Sequence, residues 1–101
     1  MKIEQLSHLC EVLESGSFTI AAQKFFIKEA DMKESIISLE IEFGIELIEY
    51  ENESKVVPSV GCLQIISHIK EIVRNCREIE EEIKSLHKKS SVNTMYDVCL
   101  F

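Results

Sequence analysis

Lysines and carboxylates are the side chains of this sequence whose spacing points most directly to a chemistry. Three lysines fall between residues 28 and 60, and a row of lysines on one folded surface attracts phosphate groups. The same segment holds nine carboxylates, which give it a formal charge of −6. Carboxylates repel phosphate, so the charge of this segment opposes nucleic-acid binding. The side chains are Lys28, Lys33, Lys55, Glu29, Asp31, Glu34, Glu40, Glu42, Glu46, Glu49, Glu51 and Glu53.

Side chains that could catalyse a reaction or bind a metal are scattered along the sequence. No CxxC pair, glycine-rich phosphate loop or Ser/His/Asp arrangement is present. We therefore expect no enzyme activity, no catalytic residue, no metal and no cofactor. In a reducing compartment the cysteines are expected to pack as small apolar side chains. These scattered residues are His8, His68, His87, Cys10, Cys62, Cys76 and Cys99.

Length and composition limit the class of protein. A chain of 101 residues with 46% hydrophobic residues, three glycines and one proline predicts one folded, mainly helical domain with an appendage. The net charge of −7 weighs against general nucleic-acid affinity. No apolar run approaches the about 20 residues needed to cross a bilayer, and the first residues do not resemble a signal peptide. We expect a cytoplasmic protein without a membrane partner.

Two short helices are predicted at the start of the chain. Apolar residues recur at helical spacing over residues 3–14, and Gly16 is a natural end for that helix. Ser17 is placed to cap a second helix that runs to about Phe26. These two helices are expected to support the charged segment that follows them.

A third helix is predicted over about residues 30–42, after a turn at residues 27–30. Gly44 is the expected stop for this helix. Two short helices joined by a tight turn form a helix-turn-helix, so the charged residues from Lys28 onward lie on its second helix. The expected inward stripe of the third helix is Met32, Ile36, Leu39 and Phe43.

A small hairpin is predicted next. A brief apolar alternation at residues 45–48 indicates a first strand, and residues 51–54 form a polar tip. Residues 55–57 return as a second strand before Pro58. A hairpin of this size beside a helix-turn-helix is called a wing.

The last and longest helix is predicted over about residues 59–88, opened by Pro58 and Ser59. Its apolar positions alternate in steps of three and four, which is the seam pattern of a coiled coil. Such a stripe is too long to be buried on the preceding residues alone, so we expect a homodimer through this helix. The seam is Cys62, Ile65, Ile69, Ile72, Cys76, Ile79, Ile83 and Leu86.

These elements together predict a mainly α fold. Residues 1–58 form a winged helix-turn-helix head, residues 59–89 a long coiled-coil dimerisation helix, and residues 90–101 a tail. The tail begins polar and ends apolar, and its residues 95–101 could form a strand.

Four motifs in register resemble those of LysR-type transcriptional regulators. They are Gly16-Ser17-Phe18-Thr19, Leu39-Glu40, Phe43-Gly44-Ile45 and Gly61. The resemblance covers about residues 1–88 and is to the amino-terminal winged helix-turn-helix and linker helix, without the effector-binding domain. It implies a dimer, DNA binding and a role in transcription regulation.

The resemblance also implies which residues contact DNA. Where the family's third helix typically begins Ser-Gln-Pro-Ala-Leu-Ser, this chain has residues 28–33, which include Glu29. Near the hairpin the family usually has arginines, but this chain has Tyr50, Glu53 and Val56, and Pro58 replaces a common threonine. The hydroxyls of the first motif could contact the DNA backbone or could only cap the second helix. The candidate DNA contacts are Ser17, Thr19, Lys28, Glu29, Lys33 and Lys55.

Two functions therefore remain open at the level of sequence. The first is a dimeric transcription regulator that binds DNA through an unusually acidic surface. The second is an interaction module that does not bind DNA and pairs instead with another LysR-type regulator or with a basic partner protein.

Overall fold

The computed structural model describes residues 1–90. They form three short helices, a two-stranded hairpin and a long helix, so the predicted mainly α, winged helix-turn-helix fold with a long final helix is confirmed. The elements are α1 (Ile3–Ser15), α2 (Phe18–Phe25), α3 (Glu29–Phe43), β1 (Ile48–Tyr50), β2 (Val56–Pro58) and α4 (Val60–Ser90). The predicted strand at residues 95–101 lies outside the described residues.

Local backbone chemistry sets the ends of the short helices. Gly16 closes α1 with a φ of 72°, a left-handed conformation that glycine adopts without steric cost, and its N–H donates to the Val12 carbonyl. Ser17 caps α2, because its side chain accepts a hydrogen bond from the backbone N–H of Ile20 at 3.2 Å. Gly44 closes α3 in the same left-handed conformation. All three predicted roles are confirmed.

The turn between α2 and α3 begins with an unusual residue. Phe26 has a φ of 57°, and its side chain is 94% exposed. A bulky residue rarely adopts this left-handed conformation, which costs roughly 1–2 kcal/mol. The Ile27 N–H donates to the Ala22 carbonyl at 3.0 Å, so the turn is held by the backbone on either side of Phe26.

The core lies where the first three helices cross and the hairpin covers them. In α3, Met32, Ile36 and Leu39 are buried as predicted, and Phe43 packs against the core from its edge. Residue Glu29 begins α3, one position before the predicted start, because Lys28 takes the extended conformation of an N-cap. The inward face of the predicted recognition helix is therefore fixed by ordinary apolar packing. The other buried apolar residues of the head are Leu6, Leu9, Val12, Phe18, Ala21, Ala22, Leu47, Ile48 and Val56.

The wing forms, but its first strand was predicted too early. Strand β1 pairs antiparallel with β2, Ile48 opposite Pro58 and Tyr50 opposite Val56. The Glu40 carboxylate accepts hydrogen bonds from the backbone N–H groups of Leu47 at 2.8 Å and Ile48 at 3.4 Å. The Leu47 N–H is therefore bonded to a side chain of α3 instead of to a partner strand.

The wing is also anchored to the helix-turn-helix. The Val56 N–H donates to the Gly16 carbonyl at 3.0 Å, and this bond joins β2 to the turn between α1 and α2. Pro58 ends β2 and does not open α4, contrary to the prediction. Ser59 caps α4, because its Oγ accepts from the Cys62 N–H at 3.0 Å and donates to the Glu46 carbonyl at 2.6 Å. The hairpin, α3 and α4 thus have fixed relative positions.

Helix α4 has 31 residues and packs on the head only through its first part. There it lies against α1, and Cys62, Ile69 and Val73 are buried. Val73 was not among the predicted apolar positions, and it is buried because it faces α1. The later part of α4 extends away from the head with Ile79, Ile83 and Leu86 exposed, and Ile72, next to the buried Val73, is also exposed.

Candidate nucleic-acid interface

Three of the candidate DNA contacts form one cluster at the start of α3. The Thr19 hydroxyl donates a 2.5 Å hydrogen bond to Glu29 Oε1, and Lys33 Nζ lies 3.3 Å from Glu29 Oε2. The Thr19 hydrogen bond, and after it the Lys33 ammonium, lower the pKa of Glu29 below its ordinary value. Glu29 is therefore a carboxylate at neutral pH and occupies two groups that could otherwise contact DNA.

The remaining candidates on the helix-turn-helix differ from this cluster. The Ser17 hydroxyl is used as the cap of α2, which is one of the two roles open from the sequence. Lys28 is exposed at the start of α3 and has no ion-pair partner within residues 1–90. Of Lys28, Lys33 and Lys55, only Lys28 has a charge that is not already paired.

The lysine of the wing is also paired with a nearby carboxylate. Lys55 Nζ lies 3.2 Å from Glu51 Oε2. Asn52 Oδ1 orders the tip by accepting from the backbone N–H groups of Ser54 at 2.9 Å and Lys55 at 3.0 Å. The tip is therefore shaped by its own hydrogen bonds, and its single lysine is matched by a carboxylate on the same hairpin.

The surface charge around α3 is negative. Asp31 and Glu34 are exposed on its first turns, beyond the cluster that contains Glu29. A phosphate approaching this face would meet one unpaired lysine and at least two unpaired carboxylates, so general electrostatic attraction is weak. Acidic side chains can still accept hydrogen bonds from the amino group of cytosine in the major groove.

The outer face of α3 also carries apolar side chains that the sequence interpretation did not single out. Ile37 and Ile41 lie one turn apart and are 52% and 76% exposed. Beside them a cleft of about 470 Å³ opens between α3 and the wing. Phe18 and Tyr50 meet across it, with ring centroids 6.4 Å apart. The spacing of Ile37 and Ile41, outside the inward stripe, was the available sequence signal.

The predicted dimer seam is divided in this structure. Cys62 and Ile69 are buried on the head and Ile65 packs at its edge, whereas the later members are exposed. Cys76 is half-buried, between these two parts. The exposed members form one apolar stripe that begins within the packed part of α4 and continues beyond the head: Ile72, Ile79, Ile83 and Leu86.

His8, Cys10 and Cys62 belong to the packing of the head. His8 is buried, with its Nδ1 2.8 Å from Ser35 Oγ and its ring edge-on to Phe25 at 4.7 Å. Burial lowers the pKa of His8, and the Glu4 carboxylate opposes this shift. Burial raises the pKa of the Cys10 and Cys62 thiols, which makes them poor nucleophiles.

Residues 1–90 contain no candidate metal site and no candidate membrane span. In this part of the chain, no group of three or more His, Cys, Asp or Glu side chains is arranged to hold a metal ion. The helices described here are also too short or too polar to span a membrane.

Comparison with known proteins gives a family match over the head. Residues 3–60 match the family described as "Bacterial regulatory helix-turn-helix protein, lysR family". A similar relative is the uncharacterized HTH-type transcriptional regulator YvbU of Bacillus subtilis (strain 168), 27% identical over 81 residues. The alignment covers 80% of this chain and 28% of YvbU, so the chain spans less than a third of that protein.

Solved structures give the same fold. The BenM DBD in complex with catB site 1 DNA is similar with a TM-score of 0.76 and 26% identity, over 85% of this chain and 96% of that one. Oxidized OxyR of Corynebacterium glutamicum has a TM-score of 0.76 and 21% identity, over 81% of this chain and 26% of OxyR. The CbnR DBD–DNA complex has a TM-score of 0.72 and 16% identity, over 85% of this chain and 98% of that one.

Proposed function

The chain belongs to the LysR family of bacterial regulatory helix-turn-helix proteins, and on this premise we propose that it regulates transcription as a DNA-binding dimer. In this proposal residues 1–58 are the DNA-binding head and residues 59–89 the linker and dimerisation helix. The observation that most favours this proposal is the way the core holds α3. Met32, Ile36 and Leu39 fix its inner face in the core, while its first turns stay open to a groove.

DNA contact in this proposal depends more on shape and hydrogen bonding than on net charge. Lys28 contacts phosphate, and Glu29 and Glu34 accept hydrogen bonds from cytosine amino groups. Thr19 and Lys33 reach the DNA backbone only if they leave Glu29, to which both are bonded. We therefore expect weak affinity for random DNA and a preference for sites that present cytosine amino groups.

The exposed half of α4 supports the dimer. Ile72, Ile79 and Ile83 form an apolar stripe that begins on the exposed side of the packed part of the helix and continues beyond it. Two copies that pack these stripes together would remove them from water, a contribution of about 25 cal/mol for each Å² of apolar surface buried. The dimer would present two heads to two half-sites, as helix-turn-helix dimers do.

Binding to genomic DNA fragments tests the DNA-binding role. The full chain is titrated into labelled fragments at low salt, and fluorescence anisotropy is measured. We expect a subset of fragments to bind more tightly than the rest. The Lys28→Gln variant should bind all fragments more weakly, whereas Lys84→Gln, which removes the same charge from α4, should not. Absence of binding at about 100 µM protein, the weak end of non-specific DNA affinities, would overturn the proposal.

The same stripe on α4 favours a second candidate function. A head with few unpaired cations, joined through α4 to another LysR-type regulator, would make a mixed dimer with one competent DNA-binding head. Native mass spectrometry of the chain mixed with a LysR-type regulator from the same cell tests this directly. Mixed dimers support the second candidate, and exclusive self-pairing rejects it.

A further inference from the structure

We propose that the cleft between α3 and the wing is a docking site for a basic amphipathic helix of another protein. The α3–wing cleft is defined by Phe18, Ile37, Ile48 and Tyr50, with Glu40, Glu46 and Glu49 at its rim. This site is separate in kind from the proposed DNA contacts, because it offers apolar surface and carboxylates instead of donors to phosphate.

The shape of the cleft suits the apolar ridge of a helix. Its volume is about 470 Å³, and a second, shallower cavity of about 280 Å³ shares Ile37 with it and continues over Ile41 and Ile45. The two cavities together give a path along the outer face of α3. Helices that bind in grooves insert apolar side chains at intervals of three and four residues along such a path.

The exposed apolar side chains beside the α3–wing cleft indicate an interaction surface. Tyr50 is 61% exposed, in addition to the exposed isoleucines of α3. Single exposed apolar residues are common on proteins, but a contiguous group beside a cleft marks an interaction site. Ile37 and Ile41 are one helical turn apart on α3, and Ile45, just after the end of this helix, lines the same shallow cavity.

Charge identifies the kind of partner. Neither Glu46 nor Glu49 has an ion-pair partner in the part of the chain that the structure describes, and both are exposed. Lys33, the one lysine that lines the cleft, is paired with Glu29. An apolar floor with an acidic rim complements a helix that has leucine-like side chains on one face and lysine or arginine beside them. The head of a second copy, with five lysines and twelve carboxylates in residues 1–59, would be repelled from this cleft.

The cleft is held in its open form by bonds within the head. The Glu40 carboxylate fixes the start of β1 through the N–H groups of Leu47 and Ile48. The Lys33 ammonium lies over the Phe18 ring, 5.6 Å from its centroid, a cation–π distance that favours this position of the ring. A site that is already formed does not lose free energy to ordering when its partner binds.

A designed peptide tests the proposal with the full chain. The probe is a labelled peptide of about 18 residues with leucines along one helical face and lysines elsewhere. A peptide of the same composition in scrambled order controls for general attraction to an acidic protein. We expect the patterned peptide to bind at least about tenfold more tightly than the scrambled one, a difference of about 1.4 kcal/mol.

Variants of the chain locate the bound peptide. Glu46→Gln with Glu49→Gln should weaken binding about tenfold, whereas Glu80→Gln with Glu82→Gln, an equal charge change on α4, should change it less than about twofold. Ile37→Ser should weaken binding, and Leu63→Ser, which alters an exposed apolar residue of α4, should not. Amide NMR shifts should change around Ile37, Ile48 and Tyr50.

Three results of the peptide experiments would overturn the proposal. They are equal binding of both peptides, equal weakening by the two charge pairs, and NMR shifts confined to α4. Preference for a duplex DNA competitor at this same cleft would also contradict it. DNA binding is measured separately without peptide, so failure of the docking site and failure of the DNA-binding role give different results.

Discussion

Helices α3 and α4 both pack one face on the head, but their exposed faces differ in charge. Each buries one face on the head and exposes isoleucines on the other. Residues 1–59, which include α3, carry five lysines and twelve carboxylates, whereas residues 60–90 carry six basic and five acidic side chains. Exposed apolar surface on both helices indicates a partner, and the surrounding charge indicates which partner. The near-neutral α4 suits a second copy, and the acidic α3 does not.

The two faces of α3 show a second difference. The inner face keeps the packing of a helix-turn-helix, while the exposed side carries Glu29 where the resemblance implies glutamine. Packing and surface charge are independent because a core depends on volume and apolar area, and a solvated face does not. A member of the LysR family can therefore have an α3 surface that attracts phosphate only weakly.

The largest expected effect is a difference in stability between substitutions on the inner and the outer face of α3. Leu39→Ala, at a fully buried position, should lower the free energy of unfolding by about 2–5 kcal/mol, since it leaves a cavity. Ile41→Ala, at an exposed position of the same helix, should change it by less than about 0.5 kcal/mol. Urea unfolding at one fixed protein concentration measures both. Similar losses in the two variants would mean that the outer face is also packed.

The next effect concerns α4. Ile79→Asp places a charge in the proposed seam and should raise the dimer dissociation constant at least about 100-fold, or about 2.7 kcal/mol. Leu63→Asp changes another exposed apolar residue of the same helix, outside the stripe, and should leave the dimer intact. Sedimentation velocity distinguishes the two cases. An Ile79→Asp chain that remains dimeric would show that the stripe is not the interface.

Sequence patterns were sufficient where structure depends on neighbouring residues. Gly16, Ser17 and Gly44 were assigned correctly because helix caps need only the residues beside them. The first strand was misplaced because Glu40, seven residues away from Leu47, holds that segment. Val73 was missed because heptad spacing does not indicate which side of α4 packs against α1.

The candidate site was less predictable than the fold. The sequence identified Thr19, Glu29 and Lys33 one by one, but their hydrogen bond and ion pair depend on the placing of α2 against α3. The α3–wing cleft also requires the hairpin in position beside Ile37. Contacts between elements are set by packing geometry, which periodicity along one chain does not contain.

A smaller effect tests the charge of α3. Glu29→Gln removes the carboxylate paired with Lys33 and restores the glutamine that the resemblance implies at this position. We expect affinity for DNA to rise about tenfold at low salt, or about 1.4 kcal/mol, and the gain to shrink as salt is added. Glu80→Gln, the same charge change on α4, should have little effect. Equal gains in both variants would mean that only net charge matters.

The smallest effect concerns the contact of α1 with the inner face of α3. The folded pKa of His8 lies below the unfolded value of about 6.5, so protonation favours the unfolded chain as pH falls below that value. Stability should therefore decrease between about pH 7 and pH 5. Thermal unfolding should show a smaller loss of stability over this pH range in His8→Gln than in the unsubstituted chain. The control His68→Gln, at an exposed position, should lose as much stability as the unsubstituted chain. An unchanged pH dependence in His8→Gln would contradict this assignment.

The salt dependence of DNA affinity tests most directly the central claim that the α3 surface has few cations available to phosphate. Counterion release gives a slope of about −0.9 in log Kobs against log salt for each phosphate neutralised. A dimer that uses only its two Lys28 side chains should give a slope of about −2. A slope of about −5 or steeper would mean that Lys33 and Lys55 also reach phosphate, and it would contradict the account.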